Sequence, residues 1–287
     1  MKILIIGGSG FLGSHLARIL YKKKHIVSVY DSKIRNRYNK IKFIKGNISN
    51  KKKLERAISG KDVVYNFAAV SDIEESIKKP IETLRTNFFH NARVLDICKK
   101  QKIKKFVFAS TIYVHSSQGS FYRVSKQSSE LFIEEFGKRF NLPYTIIRFG
   151  TVYGPGSSKE NGLKKIIRNA IMNKSLMYSG SNKAKRRLIH VNDAVNASIQ
   201  VIHKKYNYKN VLITGNKLIK ISNLLNKLGK IFKIKKKPVY IYNPNRGHYD
   251  VTPYNYKPKK DLKLYVNSKF NLKNSIEEVK QEIANEK

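Results

Sequence analysis

A chain of 287 residues, 41% of them apolar, is long enough to bury a sizeable core and too hydrophobic to stay unfolded. No apolar run approaches the roughly 20 residues that span a bilayer, and the single cysteine, Cys98, leaves no internal disulfide, so a reducing cytoplasm is the expected compartment. The formal charge of +40 is read either as attraction to polyanions or as drift toward Lys in a chain also rich in Ile, Asn and Tyr; its lysines are spread along the whole length, which favours drift over a nucleic-acid partner.

Residues 2–6 form an apolar run stopped by glycines. The run is shorter than the ~7–15 residues of a secretory signal core, so it reads as a first strand. A helix over 13–23 follows, then strands over 26–30 and 42–45, a helix over 51–58 and a strand over 63–67. Next come a helix over 81–100, a strand over 105–109, a helix over 124–140 and a strand over 144–149. Alternation of this kind predicts an α/β fold with a parallel sheet covered by helices on both faces. Past Tyr153-Gly154-Pro155-Gly156, a turn signal, the pattern gives a helix over 163–173, a strand over 189–191, a helix over 193–203 and a strand over 211–214. A helix over 221–232, a strand over 239–242, a proline-bearing loop and a last helix from about Ser275 complete the chain. The expected division is a dinucleotide-binding domain over 1–150, to which 188–215 return, and a small substrate-binding lobe built from 151–187 and 216–287.

Gly7-Gly8-Ser9-Gly10-Phe11-Leu12-Gly13 joins the first strand to the first helix. Glycines at this corner allow a tight turn, close approach of backbone N–H groups to a pyrophosphate, and contact between helix and strand. The helix N-terminus adds positive potential for the phosphates. Asp31, at the end of the second strand, is placed to accept hydrogen bonds from both adenosine ribose hydroxyls and would repel a 2′-phosphate. These features predict a Rossmann-type doubly wound sheet holding NAD, with Lys33 and Arg35 close enough to leave NADP open.

A tyrosine can exchange a proton with a substrate hydroxyl if its phenol is acidified. A lysine one turn along a helix, together with a positive nicotinamide, lowers its pKa from about 10. The Tyr-x-x-x-Lys spacing occurs at Tyr38/Lys42, Tyr122/Lys126, Tyr256/Lys260 and Tyr265/Lys269. Only Tyr122 enters a long helical pattern, and it follows the strand that carries Ser110 and Thr111 to the carboxyl edge of the sheet, where such folds bind ligands. Thr111 can share the substrate oxygen with Tyr122. Cys98 reads as a small core residue, and residues 248–254, rich in aromatics, could close over the sugar or base.

Taken together, the glycine motif, Asp31, Gly46-Asn47-Ile48, Asn66 to Ala69, Asn87, residues 106–111, Tyr122 with Lys126 and Glu130, Arg148 to Pro155, and Arg186 to Asp193 resemble the extended short-chain dehydrogenase/reductase superfamily. The likeness is to its NAD-dependent epimerase/dehydratase branch, nearest in pattern to the UDP-galactose 4-epimerases. It implies that Gly7, Gly10, Phe11, Leu12, Gly13, Asp31, Asn47, Ile48, Phe67, Ala68, Ala69 and Asn87 meet the cofactor, with Tyr122 and Lys126. It also implies that Thr111, Tyr122 and Lys126 are catalytic, and that Ser71, Thr111, Thr151 and Arg186 meet a nucleotide-diphosphate sugar. His190 and Asp193 resemble structural positions, and no metal is implied. A homodimer through the helices bearing Asn87 and Tyr122 is the family's implied assembly. Members that dehydrate at carbons 4 and 6 carry Asp-Glu after the catalytic Thr, where this chain has Ile112-Tyr113; decarboxylases place Glu at the position of Tyr113. His115-Ser116 replace the family's Tyr-Gly, and only 11 positions separate Thr111 from Tyr122.

The expected reaction is reversible hydride transfer at carbon 4 of the sugar, with epimerisation through a transient keto sugar. A one-way keto-sugar reductase is the alternative within the fold. A protein that keeps the fold to sense NAD or bind nucleic acid is the alternative outside enzymology.

Overall fold

Runs of β-branched and aromatic residues alternate with helices whose apolar residues recur every three to four positions, and the chain assembles as that alternation requires. A computed structural model describes residues 1–34, 40–241, 261–264 and 271–286. In chain order the first part contains β1 (Lys2–Ile6), α1 (Phe11–Lys22), β2 (Ile26–Asp31), β3 (Lys42–Lys45), α2 (Lys51–Ile58), β4 (Val63–Asn66) and α3 (Ile73–Lys78). It continues with α4 (Pro80–Leu84), α5 (His90–Lys100), β5 (Lys105–Thr111), α6 (Ser120–Phe140) and β6 (Tyr144–Phe149). Then follow β7 (Thr151–Tyr153), α7 (Gly162–Asn173), β8 (Met177–Ser179), β9 (Lys185–Arg186), β10 (Leu188–His190) and α8 (Val191–Gln200). The last elements are β11 (Lys209–Ile213), β12 (Ile219–Lys220), α9 (Ile221–Ile231), β13 (Val239–Ile241), β14 (Asp261–Leu264) and α10 (Leu272–Ala284).

Eight strands form one sheet in the order β14-β11-β6-β5-β4-β1-β2-β3, and every pair in it is parallel. The order reverses between β1 and β4, which opens a crevice at the carboxyl ends of the strands. One face of the sheet packs on α1 and α8 through Leu16, Leu20, Ala194 and Val195, and the other on α2, α5 and α6 through Leu54, Leu95 and Ile133. This is the Rossmann-type fold expected. A third cluster joins α7, α9 and α10 through Ile167, Leu225 and Ile276, giving the C-terminal lobe its own core.

Three features differ from expectation. β14 adds a strand to the main sheet beside β11, so residues 216–287 do not belong wholly to the lobe. A parallel edge strand needs only backbone pairing, which an irregular sequence does not advertise. The helix expected over 81–100 is interrupted by a π-helical turn, Arg85–Phe89, between α4 and α5. Finally, α3 and the short strands β7, β8, β9 and β12 were not legible in the periodicity, whereas β10 and β13 stand where strands were expected and pair with β7 and β8. The pairs at Tyr38, Tyr256 and Tyr265, Arg35 and residues 248–254 lie outside the described residues.

Candidate active site

The turn between β1 and α1 needs its glycines. Gly7 has φ +78°, and a Cβ there would lie 2.5 Å from the Ala68 nitrogen; one on Gly13 would lie 2.4 Å from the Gly7 carbonyl. At Gly10 a Cβ would meet only the Gly7 oxygen at 3.3 Å, so that glycine keeps open space rather than tight packing. No side chain caps α1, and its first-turn N–H groups face this space.

A cavity of about 650 Å³ runs from Gly7 and Gly10 past Asp31 to Asn47 and Ile48, with Phe67, Ala68 and Ala69 along its floor. The Asp31 carboxylate accepts the Ser9 N–H at 2.9 Å and the Lys33 N–H at 3.0 Å, which fixes it at the cavity wall with lone pairs to spare. The Asn47 carbonyl accepts the Tyr30 hydroxyl at 2.8 Å, and its side chain accepts the Ser49 N–H at 2.9 Å. An open glycine cradle, a carboxylate at ribose distance along the strand and a slot beyond it fit an NAD dinucleotide. His90, on the opposite wall, was not foreseen; it is buried, its Nδ1 has no hydrogen-bond partner among the described residues, and burial holds its pKa down.

One expected cofactor residue is displaced. Asn87 is 1% exposed and spends its amide on protein: its oxygen accepts the Val70 N–H at 2.8 Å, and its nitrogen donates to the Val70 carbonyl and the Ser125 hydroxyl, both at 2.9 Å. It ties the segment after β4 to α6, and does not line the cleft. Leu12 packs against the core beneath the glycine turn.

A second cavity, about 660 Å³, meets the first at Gly10. Phe11, Ser71, Thr111, Tyr122, Thr151 and Arg186 all line it, so the four expected substrate residues share one volume. β5 runs to Thr111, and α6 begins at Ser120, which puts Tyr122 in the first turn of the helix. The Thr111 hydroxyl hydrogen-bonds the Tyr122 phenol, and the Ser76 hydroxyl accepts the Tyr122 backbone N–H at 3.2 Å. Lys126 lies beneath Tyr122, 2% exposed, its Nζ 6.0 Å from the Tyr122 ring centre and 4.4 Å from that of Phe108. The ammonium donates to the Ala109 carbonyl at 2.7 Å. One turn on, Glu130 accepts hydrogen bonds from the Ser110 hydroxyl and from Arg148, Nη2 at 2.7 Å and Nε at 3.1 Å. This buried knot locks α6 onto β5 and β6, setting Tyr122 against Thr111.

The charges respond to burial first. Burial pushes the Tyr122 phenol up to about 12, a rise that the Thr111 hydroxyl opposes. Lys126 is pushed down to about 7, with Glu130 pulling the other way. Burial thus dominates both groups in the protein alone, and the acidification expected of Lys126 together with a positive nicotinamide belongs to the NAD-loaded enzyme. His190 is buried and accepts the Asn192 N–H at 3.3 Å as the cap of α8, a structural place.

Residues 3–213 match the model of the NAD dependent epimerase/dehydratase family. The chain belongs to that family. It is 33% identical over 261 residues to a dTDP-D-glucose 4,6-dehydratase of Dictyostelium discoideum, across 78% of this chain and 60% of that protein. It is 30% identical to a UDP-N-acetyl-alpha-D-glucosaminuronate decarboxylase of Bacillus cytotoxicus, across 72% of each. The uncharacterized UDP-glucose epimerase YtcB of Bacillus subtilis is also 30% identical, across 72% of this chain and 74% of that one. Among solved structures, the UDP-glucose 4-epimerase of Thermotoga maritima with UDP-glucose superposes with a TM-score of 0.85 at 22% identity, covering 100% and 99% of the two chains. Family membership makes the chain an NAD-dependent enzyme of the epimerase/dehydratase type. Among the described residues no helix is long and apolar enough to cross a membrane.

Proposed function

We propose that the protein is an NAD-dependent nucleotide-sugar 4-epimerase. The observation that carries this is the pairing of Thr111 and Tyr122, backed by buried Lys126, in a cavity that shares Gly10 with a dinucleotide cleft of similar size. Gly7, Gly10, Gly13, Asp31, Asn47, Ile48 and the 67–69 segment hold NAD, which when bound supplies a hydride acceptor and a positive ring beside Tyr122. That added charge would lower the phenol from about 12 toward a range where it exchanges protons. Tyr122 takes the proton of the sugar 4-hydroxyl, Thr111 holds the same oxygen, and Lys126 holds the cofactor ribose and the local charge. Bound NAD would supply the acceptor for the carbon-4 hydride and its return, and Tyr122 would give the proton back to the same oxygen once the keto sugar presents its other face. Arg186 and Thr151, from the lobe side, hold the nucleotide diphosphate.

Elimination of water at carbons 4 and 6 needs a further acid–base group beside the threonine. Ile112 and Tyr113 have no carboxyl to offer there, which favours epimerisation over the dehydratase reaction named for one relative. The lobe built around α7, α9 and α10 acts as the substrate side of the cleft in a cytoplasmic enzyme. Dimerisation follows the exposed apolar stripe of α6, Phe121, Val124 and Leu131, beside Ile81, Leu84 and Phe89.

The purified protein, given UDP-, dTDP-, GDP- and CDP-sugars with no added cofactor, is expected to release 4-epimers. Tyr122→Phe is expected to lower kcat at least ~1000-fold while the protein retains NAD. Stoichiometric consumption of NADH or NADPH would instead mark a keto-sugar reductase. Tight nucleic-acid binding at physiological salt with no activity sensitive to Tyr122→Phe would mark a binding protein.

A further inference from the structure

Beside the second cavity, the consecutive residues Pro155, Gly156 and Ser157 are each gripped by a side chain from a different helix. His15, on α1, donates from Nε2 to the Pro155 carbonyl at 3.0 Å. Glu282, on α10, accepts the Gly156 N–H at 3.0 Å. Lys164, on α7, donates to the Ser157 carbonyl at 3.2 Å. The turn itself is weakly tied. Gly154 and Gly156 sit at φ +137° and +80°, and the Ser157 N–H reaches the Gly154 carbonyl at 3.3 Å.

Glu282 stands at the centre of this grip. One carboxylate oxygen takes the Gly156 N–H, and the other takes the Lys164 ammonium at 2.9 Å. The Lys164 side chain is 2% exposed and also meets Glu286 at 3.1 Å. The Gly156 N–H, Glu282, Lys164 and the Ser157 carbonyl therefore close a ring that fastens the turn to two helices of the lobe. Charge-assisted bonds of this kind are the strong ones, and a buried ammonium that loses its carboxylate is costly. The same stretch of chain lines the cavity through Gly156, Ser158, Glu160 and Asn161, whereas Glu282 itself is not among the lining residues.

We propose that Glu282 is a positioning residue for the substrate: from the C-terminal helix it holds residues 154–161 as a pre-formed wall for the nucleotide sugar. The proposal rests on the epimerase reading above. A wall ordered before binding spares the ligand the entropy of ordering it. With the ring open, that cost falls on binding and raises KM. Thr111 and Tyr122 come from β5 and α6, on other elements, so the chemical step keeps its rate. A contact that served stability alone would lower the thermal midpoint and leave KM where it was.

The test reads the turn and the substrate separately, on the full chain with NAD bound. Glu282→Ala is expected to speed hydrogen exchange of the Gly156 amide at least ~10-fold, followed by mass spectrometry of peptides spanning residues 154–162. It is also expected to raise KM for UDP-glucose about 10-fold, with kcat within about 2-fold of native. Glu277→Ala, which removes a carboxylate paired with Lys280 on the same helix, is expected to change neither. Native exchange or a native KM in a folded, NAD-loaded Glu282→Ala protein overturns the proposal, as does an equal rise of KM in Glu277→Ala. Glu282→Gln keeps an oxygen for the Gly156 N–H but not the charge beside Lys164, and is expected to raise KM about 3-fold. Where the alanine variant does not fold, a glutamine variant with native exchange and native KM refutes the role. If the native protein turns over no nucleotide sugar, the epimerase reading fails, and calorimetric titration with UDP decides. Weaker binding by Glu282→Ala then supports the positioning role; unchanged or absent binding refutes it.

Discussion

Lys126 shows how the site trades stability for chemistry. Its ammonium is 2% exposed and bonds one carbonyl, and burial lowers its pKa from the usual value near 10.5 to about 7. The folded state therefore binds fewer protons than the unfolded chain between about pH 7 and 10, so this group makes stability rise with pH across that window. Below pH 7 the buried charge is fully present and costs on the order of 5 kcal/mol. Lys126→Met is expected to raise the thermal midpoint at pH 6 more than at pH 9, while abolishing epimerisation. Parallel melting curves at the two pH values check it, and an equal shift at both would refute the linkage. The places of Asp31 and Gly7 on the first cavity were legible in the sequence because they are set within a strand–turn–helix corner and the strand beside it. Glu74 and His90 were not, because each reaches its cavity only after α3 or the π-helical turn is laid beside a distant strand. Asn87 misled for the same reason: its saturated amide is a product of tertiary contacts.

Elements made of continuous periodic sequence were read well. β1, α2 and β6 stand where alternation and apolar spacing put them, since each buries apolar residues in the core, and β3 stands as expected with only Phe43 and Ile44 partly buried. The extra residue per turn at Arg85–Phe89 left no mark, because π-turns carry no distinctive composition. Helix α6 illustrates two faces with two purposes. Its inner face presents Lys126, Ser129 and Glu130 to the sheet, and its outer face leaves Leu131 69% exposed. An apolar side chain that open, on the same stripe as Phe121 and Val124, fits burial by a second copy. Leu131→Glu is expected to convert a dimer to a monomer in sedimentation, without changing cofactor content. A native protein that sediments as a monomer at micromolar concentration would overturn the assembly.

At the scale of the molecule, the net charge of +40 sets conditions more than identity. Its repulsion is screened over about 8 Å at physiological ionic strength, so low salt opposes any association of two copies and draws anionic nucleotides toward the protein. The chain passes between sheet and lobe repeatedly: β6 lies in the sheet, α7 in the lobe, β11 in the sheet, α9 in the lobe, β14 in the sheet and α10 in the lobe.

Such lacing has a mechanical consequence. The lobe owns no single continuous stretch of polypeptide, and the sheet, although β1 to β6 run on unbroken, takes β11 and β14 from between the lobe's own elements. Heating should therefore dismantle both together, in one calorimetric peak with agreeing van't Hoff and calorimetric enthalpies. Two resolved peaks would mean that the stitches are slack, and that the lobe melts while the sheet still stands.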